Sequence, residues 1–225
     1  MSPECRCATL LLLALAGACT ATSVEPAPSD DAERPDAGEV PDAGEPVFAA
    51  SAKGRVRFKG AERLRNDLAQ ALELDPAEVC QELGQYDCVD FVHTVALGGV
   101  EPYELGVVEP LDETTATTPL AVERVALAAC VRRVDRDLSG DVDAVLFGGL
   151  PLDGDRLRSV DDPAVAEAIA RLYRRALLRE PTEAEQQHLR RSYTELEGDN
   201  EPRPARDWAV LTCFSVLTSL EGLFY

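Results

Sequence analysis

The residues with chemistry to offer are seven cysteines, two histidines and a run of aspartates. The cysteines stand at 5, 7, 19, 80, 88, 130 and 213. Cys80 and Cys88 lie close enough along the chain for a local crosslink, whereas Cys130 and Cys213 sit inside strongly apolar stretches. These four can pair in three ways, and spacing does not choose among them. As free thiols they would be small buried hydrophobes. No CxxC occurs, so neither a zinc ribbon nor a thioredoxin-type dithiol is indicated, and no CxxCH marks covalent haem.

The aspartates fall in Asp135–Leu146, DRDLSGDVDAVL. Asp135, Asp137 and Ser139 occupy alternating positions, Gly140 follows at the turn, Asp141 offers a carbonyl, and Asp143 comes next. Hard divalent cations such as Ca²⁺ take oxygens on alternating loop residues around a Gly turn, closed by a bidentate carboxylate at the twelfth position. Leu146 holds that closing position, so Asp153 or Asp155 from the next loop would have to supply the oxygen. The other reading is an acidic surface turn.

The histidines occur as Asp90-x-x-His93 and Glu185-x-x-His188. Acid and His three apart on helices are found in di-iron bundles, but those also need two further helical carboxylates, which do not stand out here. There is no GxSxG and no glycine-rich phosphate loop. These residues indicate no catalytic set, and the expectation is a protein that is not an enzyme.

The 225 residues carry 22 Lys+Arg against 41 Asp+Glu, a formal charge of -19, which disfavours nucleic acid as a partner. The N-terminal region is organised for export. Residues 8–18, ATLLLLALAGA, form an uncharged run too short to span a bilayer and matching the apolar part of a secretory signal. Its end, Ala16-Gly17-Ala18-Cys19, resembles a bacterial lipobox. That resemblance implies cleavage before Cys19, a lipid thioether on Cys19, and attachment to the cell envelope. Thr20 rather than Asp after the Cys implies, by likeness to enterobacterial sorting, the outer membrane. Residues 20–46 carry eight acids and one base, contain PDAGE at 35–39 and again at 41–45, and show no apolar periodicity. Such a stretch reads as an extended tether. The expected organisation is a signal over 1–18, a lipid-anchored acidic tether over 19–49, and a folded domain over 50–225.

Helical signals dominate that domain. Leu64, Leu68, Ala71 and Leu72 predict a helix over 61–74. Asp75-Pro76 opens a short helix to Leu83, and 87–97 forms another. A long ordered loop covers 100–118. Thr118-Pro119 starts a buried helix through Val134, and 138–160 is a second loop. Asp162-Pro163 opens the next helix, and the capping box Thr182–Glu185 opens one reaching Leu196. A last helix runs over 207–223. The expectation is an all-α, mostly antiparallel bundle of about six to seven helices with two long loops.

The segment 172–185, LYRRALLREPTEAE, resembles a recurrent segment of exported, cytochrome-associated, uncharacterised protein families of planctomycetes and myxobacteria. Trp208, Val210, Leu211, Ser219, Glu221, Leu223, Phe224 and Tyr225 fit the final helix of that pattern, which carries an aromatic where this chain has Gly222. The likeness spans about the last 60 residues and implies an exported helical module. The reading that joins these features is a non-enzymatic, lipid-anchored envelope protein with a protein-binding or structural domain. Its alternatives are a calcium-stabilised binding module using Asp135–Asp143, and an accessory of an exported redox system.

Overall fold

A computed structural model describes residues 57–110, 114–140 and 144–225. The signal region, Cys19, the acidic tether, Asp141 and Asp143 lie outside the described residues. Among the described residues the domain is mostly helical, with six α-helices and two short hairpins. Helix α1 (Ala61–Leu72) buries Leu64, Leu68, Ala71 and Leu72, the face its spacing predicts. It stops two residues early because Glu73 turns left-handed at φ 48° and its N–H returns to the Ala69 carbonyl. The free carbonyls of this helix end are taken by cations, which also suit the negative end of its dipole. Arg175 donates to the Ala71 and Gln70 oxygens at 2.7 and 3.0 Å.

The two helices expected next are largely absent. Asp75 accepts the Ala77 N–H and caps only a single 3₁₀ turn, Pro76–Glu78. The chain then forms a hairpin, β1 (Gln81–Glu82) with β2 (Tyr86–Asp87), turning through Leu83 and Gly84, both at positive φ. Asp87 caps a five-residue π-helical turn, Cys88–Val92, by accepting the Val89 and Asp90 N–H groups. An α-helix would continue by sending the His93 N–H to Val89. Here it goes to the Cys88 oxygen at 2.7 Å, while the Thr94 hydroxyl takes the Val89 carbonyl. This local side-chain competition ends the helix.

Helix α2 (Thr118–Ser139) runs five residues past the predicted end, closing at left-handed Gly140. A second hairpin, β3 (Leu152–Asp153) with β4 (Arg156–Leu157), interrupts the loop expected over 138–160. Its Gly154-Asp155 turn, with Gly154 at φ 61°, is a hairpin signal readable in the sequence. Helices α3 (Pro163–Leu177) and α4 (Glu183–Gly198) start at Asp162 and Thr182, as their caps predict. The last predicted helix splits into α5 (Pro204–Leu217) and α6 (Leu220–Leu223). Thr218 donates its hydroxyl back to Phe214, and Ser219 turns extended and caps Gly222, so the ladder cannot continue.

The core gathers around Trp208 of α5, which is fully buried. Its ring meets Phe147 and Tyr193 edge-on, at 6.3 and 6.2 Å between centroids. Such edge-to-face contacts add to area burial. The indole N–H donates to the Leu189 carbonyl at 2.7 Å, and the Tyr193 hydroxyl accepts the Leu157 N–H at 2.8 Å. One aromatic cluster thereby ties α4, α5 and the second hairpin together. The N-terminal strand residue Phe58 bridges Phe224, and Arg57 exchanges both backbone hydrogen bonds with Tyr225 at 3.1 Å.

Candidate functional site

Among the described residues, those singled out by their chemistry each have a place. The four domain cysteines form two disulfides, Cys80–Cys88 and Cys130–Cys213. The first closes the β1–β2 hairpin against the π-helical turn. The second joins α2 to α5 across 83 residues of sequence. All four residues are buried, so both bonds serve the fold.

The front of the acidic run is helical rather than looped. Asp135, Asp137 and Ser139 belong to the last turns of α2. Residues two apart on a helix point about 200° apart, so these three side chains do not converge as an alternating loop would bring them. Asp135 faces α5, where Arg206 grips it through Nε and Nη2 at 2.7 and 3.0 Å. Asp137 points inward with its side chain wholly excluded from solvent. Its two oxygens accept the N–H groups of Val145, Leu146 and Phe147 at 2.8–2.9 Å. Arg133, equally buried, lies 2.8 Å from Asp137 in an ion pair too misaligned to count as a hydrogen bond. The carboxylate thus organises the chain after the helix, where Leu146 and Phe147 enter the core. Ser139 turns its hydroxyl back to the Arg136 carbonyl.

Neither acid–His pair shares a ligand position. Asp90 is engaged by Arg65, while His93 Nε2 lies 3.0 Å from Glu82, which Arg124 also contacts at 2.9 Å. The His93 contact is the main reason the Glu82 carboxyl is held below its ordinary range. Glu185 is occupied by Arg179, and His188 stands exposed on a neighbouring groove wall. Among the described residues no group of three or more His, Cys, Asp or Glu is gathered as for a metal.

The segment resembling the exported families turns out to be a clasp. Arg179 sits between α3 and α4 and holds Glu185 with two bonds, at 2.7 and 3.0 Å. Its Nε reaches Glu221 of α6 at 2.8 Å, and its guanidinium covers the Tyr173 ring at 5.1 Å. Glu185 also completes the capping box with Thr182. The Arg179 hydrogen bonds hold the Glu185 carboxyl down to about 2, and the acids raise Arg179 in turn. Burial is the first cause pushing the Tyr173 phenol up. The clasp walls a groove of about 520 Å³ with His188, Ser215 and Ser219 on its rim. Arg179 is saturated by its own carboxylates, so the groove offers no free cation to an anionic ligand. Gly222 beside it is required: a Cβ there would come within 2.6 Å of the Leu217 carbonyl oxygen. That contact explains why a glycine stands at this position.

Sequence reasoning missed the most distinctive surface. Among the described residues, nine of the fourteen exposed large apolar side chains lie between Leu83 and Leu120 in sequence. Tyr86 and Phe91 stack on one another at 5.5 Å, with Phe91 69% exposed. Farther along, Glu101 and Val107 exchange both backbone hydrogen bonds at 2.9 Å and close a tight loop. The Glu101 carboxylate accepts the Leu105 and Glu104 N–H groups, which pins the tip and holds that carboxyl below its usual range. The tip presents Tyr103 at 94% exposure and Leu105 at 66%. The readable signal was the density of Tyr, Phe, Leu and Val in a stretch without helical period.

No protein-family model, curated protein or solved structure matches this chain.

Proposed function

We propose that the chain is a non-enzymatic, lipid-anchored protein of the bacterial cell envelope, held at the outer membrane through Cys19, whose mostly antiparallel helical domain binds another envelope protein. The observation that carries the binding role is the apolar tip of the loop closed by Glu101 and Val107, where Tyr103 and Leu105 stand exposed. Concentrated apolar exposure on a folded domain marks an interaction site. A rigid exposed tyrosine supplies contact area at small entropic cost, as binding anchors do. Two disulfides support export, because such bonds persist in oxidising compartments. The apolar run ending at Cys19 and the acidic stretch behind it supply anchor and spacing.

The test has two arms. Mass spectrometry of the mature protein should find Cys19 as the acylated first residue, and Cys19→Ser should leave the membrane fraction. A photoreactive residue at position 103 should give discrete protein adducts in cells, while one at exposed Arg191 should not. A retained initiator end would refute the anchor, and absence of adducts at position 103 would refute the docking role.

A further inference from the structure

We infer that the partner of the Tyr103 loop is a polypeptide segment that is both apolar and cationic, an amphipathic stretch rich in Lys or Arg. This rests on the docking role proposed above and adds the chemistry of the occupant. In sequence, residues 83–120 contain seven acids and neither Lys nor Arg, and the arginines that reach this stretch, Arg65 and Arg124, are engaged by Asp90 and Glu82. Three of the acids are used internally. Asp87 caps the π-helical turn, Asp90 meets Arg65, and Glu101 pins the loop tip. Glu104 and Glu109 flank Tyr103, Leu105 and Val108, stand exposed, and show no partner among the described residues. The result is an apolar knob with a rim of free negative charge. Its complement is an apolar surface rimmed by positive charge, since matched potentials favour association and like charges oppose it.

The same charge argues against the other occupants. A second copy would set acids against acids across a two-fold axis. The chain's own residues 20–46 carry a net charge of -7 and are repelled in the same way. Insertion of Tyr103 and Leu105 into a bilayer would bring the acidic rim against an anionic surface.

The test uses the full-length chain carrying Cys19→Ser, so that no acyl chain competes. It is titrated with an amphipathic Leu/Lys helical peptide, a Leu/Glu peptide of the same pattern, and a Ser/Lys peptide. Phosphatidylcholine vesicles with and without phosphatidylglycerol form a further arm. The Leu/Lys peptide should bind best, and its binding should weaken with rising salt. Tyr103→Ser with Leu105→Ser should weaken it about tenfold at unchanged charge. Glu104→Lys with Glu109→Lys should weaken it by a similar factor at low salt, with unaltered melting in both variants.

Equal binding of the Leu/Glu peptide overturns the proposal. So does equal binding of the Ser/Lys peptide, or indifference to the Tyr103/Leu105 variant. Vesicle binding lost in that variant would assign the surface to lipid, and self-association lost in it would assign it to a second copy. Either result also overturns the inference. Cross-links at position 103 without Leu/Lys binding refute the charge assignment alone, whereas loss of both refutes the docking role as well.

Discussion

Replacing Asp137 by Ala should be among the most damaging single changes in the domain. The carboxylate is fully buried, accepts three backbone N–H groups and neutralises Arg133, whose side chain is only 4% exposed. Removing one partner of a buried ion pair costs about 3–5 kcal/mol, because the other charge remains unpaired. Each orphaned N–H adds about 1 kcal/mol or more, although these costs overlap and do not simply add. A loss of about 4 kcal/mol is therefore expected, a large share of a typical total of roughly 5–15 kcal/mol. Urea unfolding with disulfides intact should show it as a midpoint lower by about 2 M, for a slope of about 2 kcal/mol/M. Asp137→Asn keeps an oxygen for the N–H groups but leaves the Arg133 charge buried without a counter-ion, holding only its bond to the Leu72 carbonyl. Adding Arg133→Met removes that charge and should recover about 1–2 kcal/mol. The reasoning is refuted if Asp137→Ala costs less than about 1 kcal/mol, or if the double variant is no more stable than Asp137→Asn.

Four further outcomes follow from other parts of the fold. Replacing both Cys130 and Cys213 by Ala should cost about 4.5 kcal/mol, against about 2.5 kcal/mol for the Cys80 and Cys88 pair, because the longer loop is the more constrained when unfolded. Denaturant titration of the two variants checks the order, and a larger loss for the shorter loop would contradict it. Glu185 has a depressed folded-state pKa of about 2, so its contribution is present above the unfolded value of about 4.3 and is lost as pH falls through 2. Thermal melts should therefore fall between those pH values in a component that Glu185→Gln lacks; identical acid profiles would refute this. Gly222→Ala should cost about 1–3 kcal/mol, since its Cβ meets a backbone carbonyl that cannot swing aside. Calorimetry showing no loss would contradict that contact. Millimolar Ca²⁺ should leave the melting temperature unchanged, because Asp137 must release three N–H groups before it can bind a cation; a rise would support the calcium reading.

Much of the helical scaffold was legible because its signals are local. Leu64, Leu68 and Leu72 mark one face of α1, and the Asp162 and Thr182 caps place the starts of α3 and α4. The errors lie where side chains compete with the backbone. Thr94 takes the Val89 carbonyl, and Ser219 turns extended to cap Gly222, and each ends a helix that apolar spacing would continue. Asp137 shows what spacing leaves open. Its spacing from Asp135 and Ser139 suits a cation loop, yet Arg133, one turn earlier, and three N–H groups beyond Gly140 claim it. That preference depends on burial, which spacing does not encode. The Arg179 clasp was half visible as the Thr182–Glu185 box, while its reach to Glu221 needed the folded chain. The Tyr103 tip was hidden for a related reason: Glu101 builds it by accepting N–H groups from its own loop.

The pairing of Arg57 with Tyr225 has a mechanical consequence. Any tension applied to the chain ahead of Arg57 is carried first by the backbone bonds that Arg57 and Lys59 make with Tyr225 and Leu223. Load applied at the end of so short an antiparallel contact breaks its bonds one after another, like a zip, rather than all together. The Cys130–Cys213 crosslink lies farther in, and it would halt such a tear before α2 and α5 could separate. A domain strained from this end would shed its rim and keep its centre.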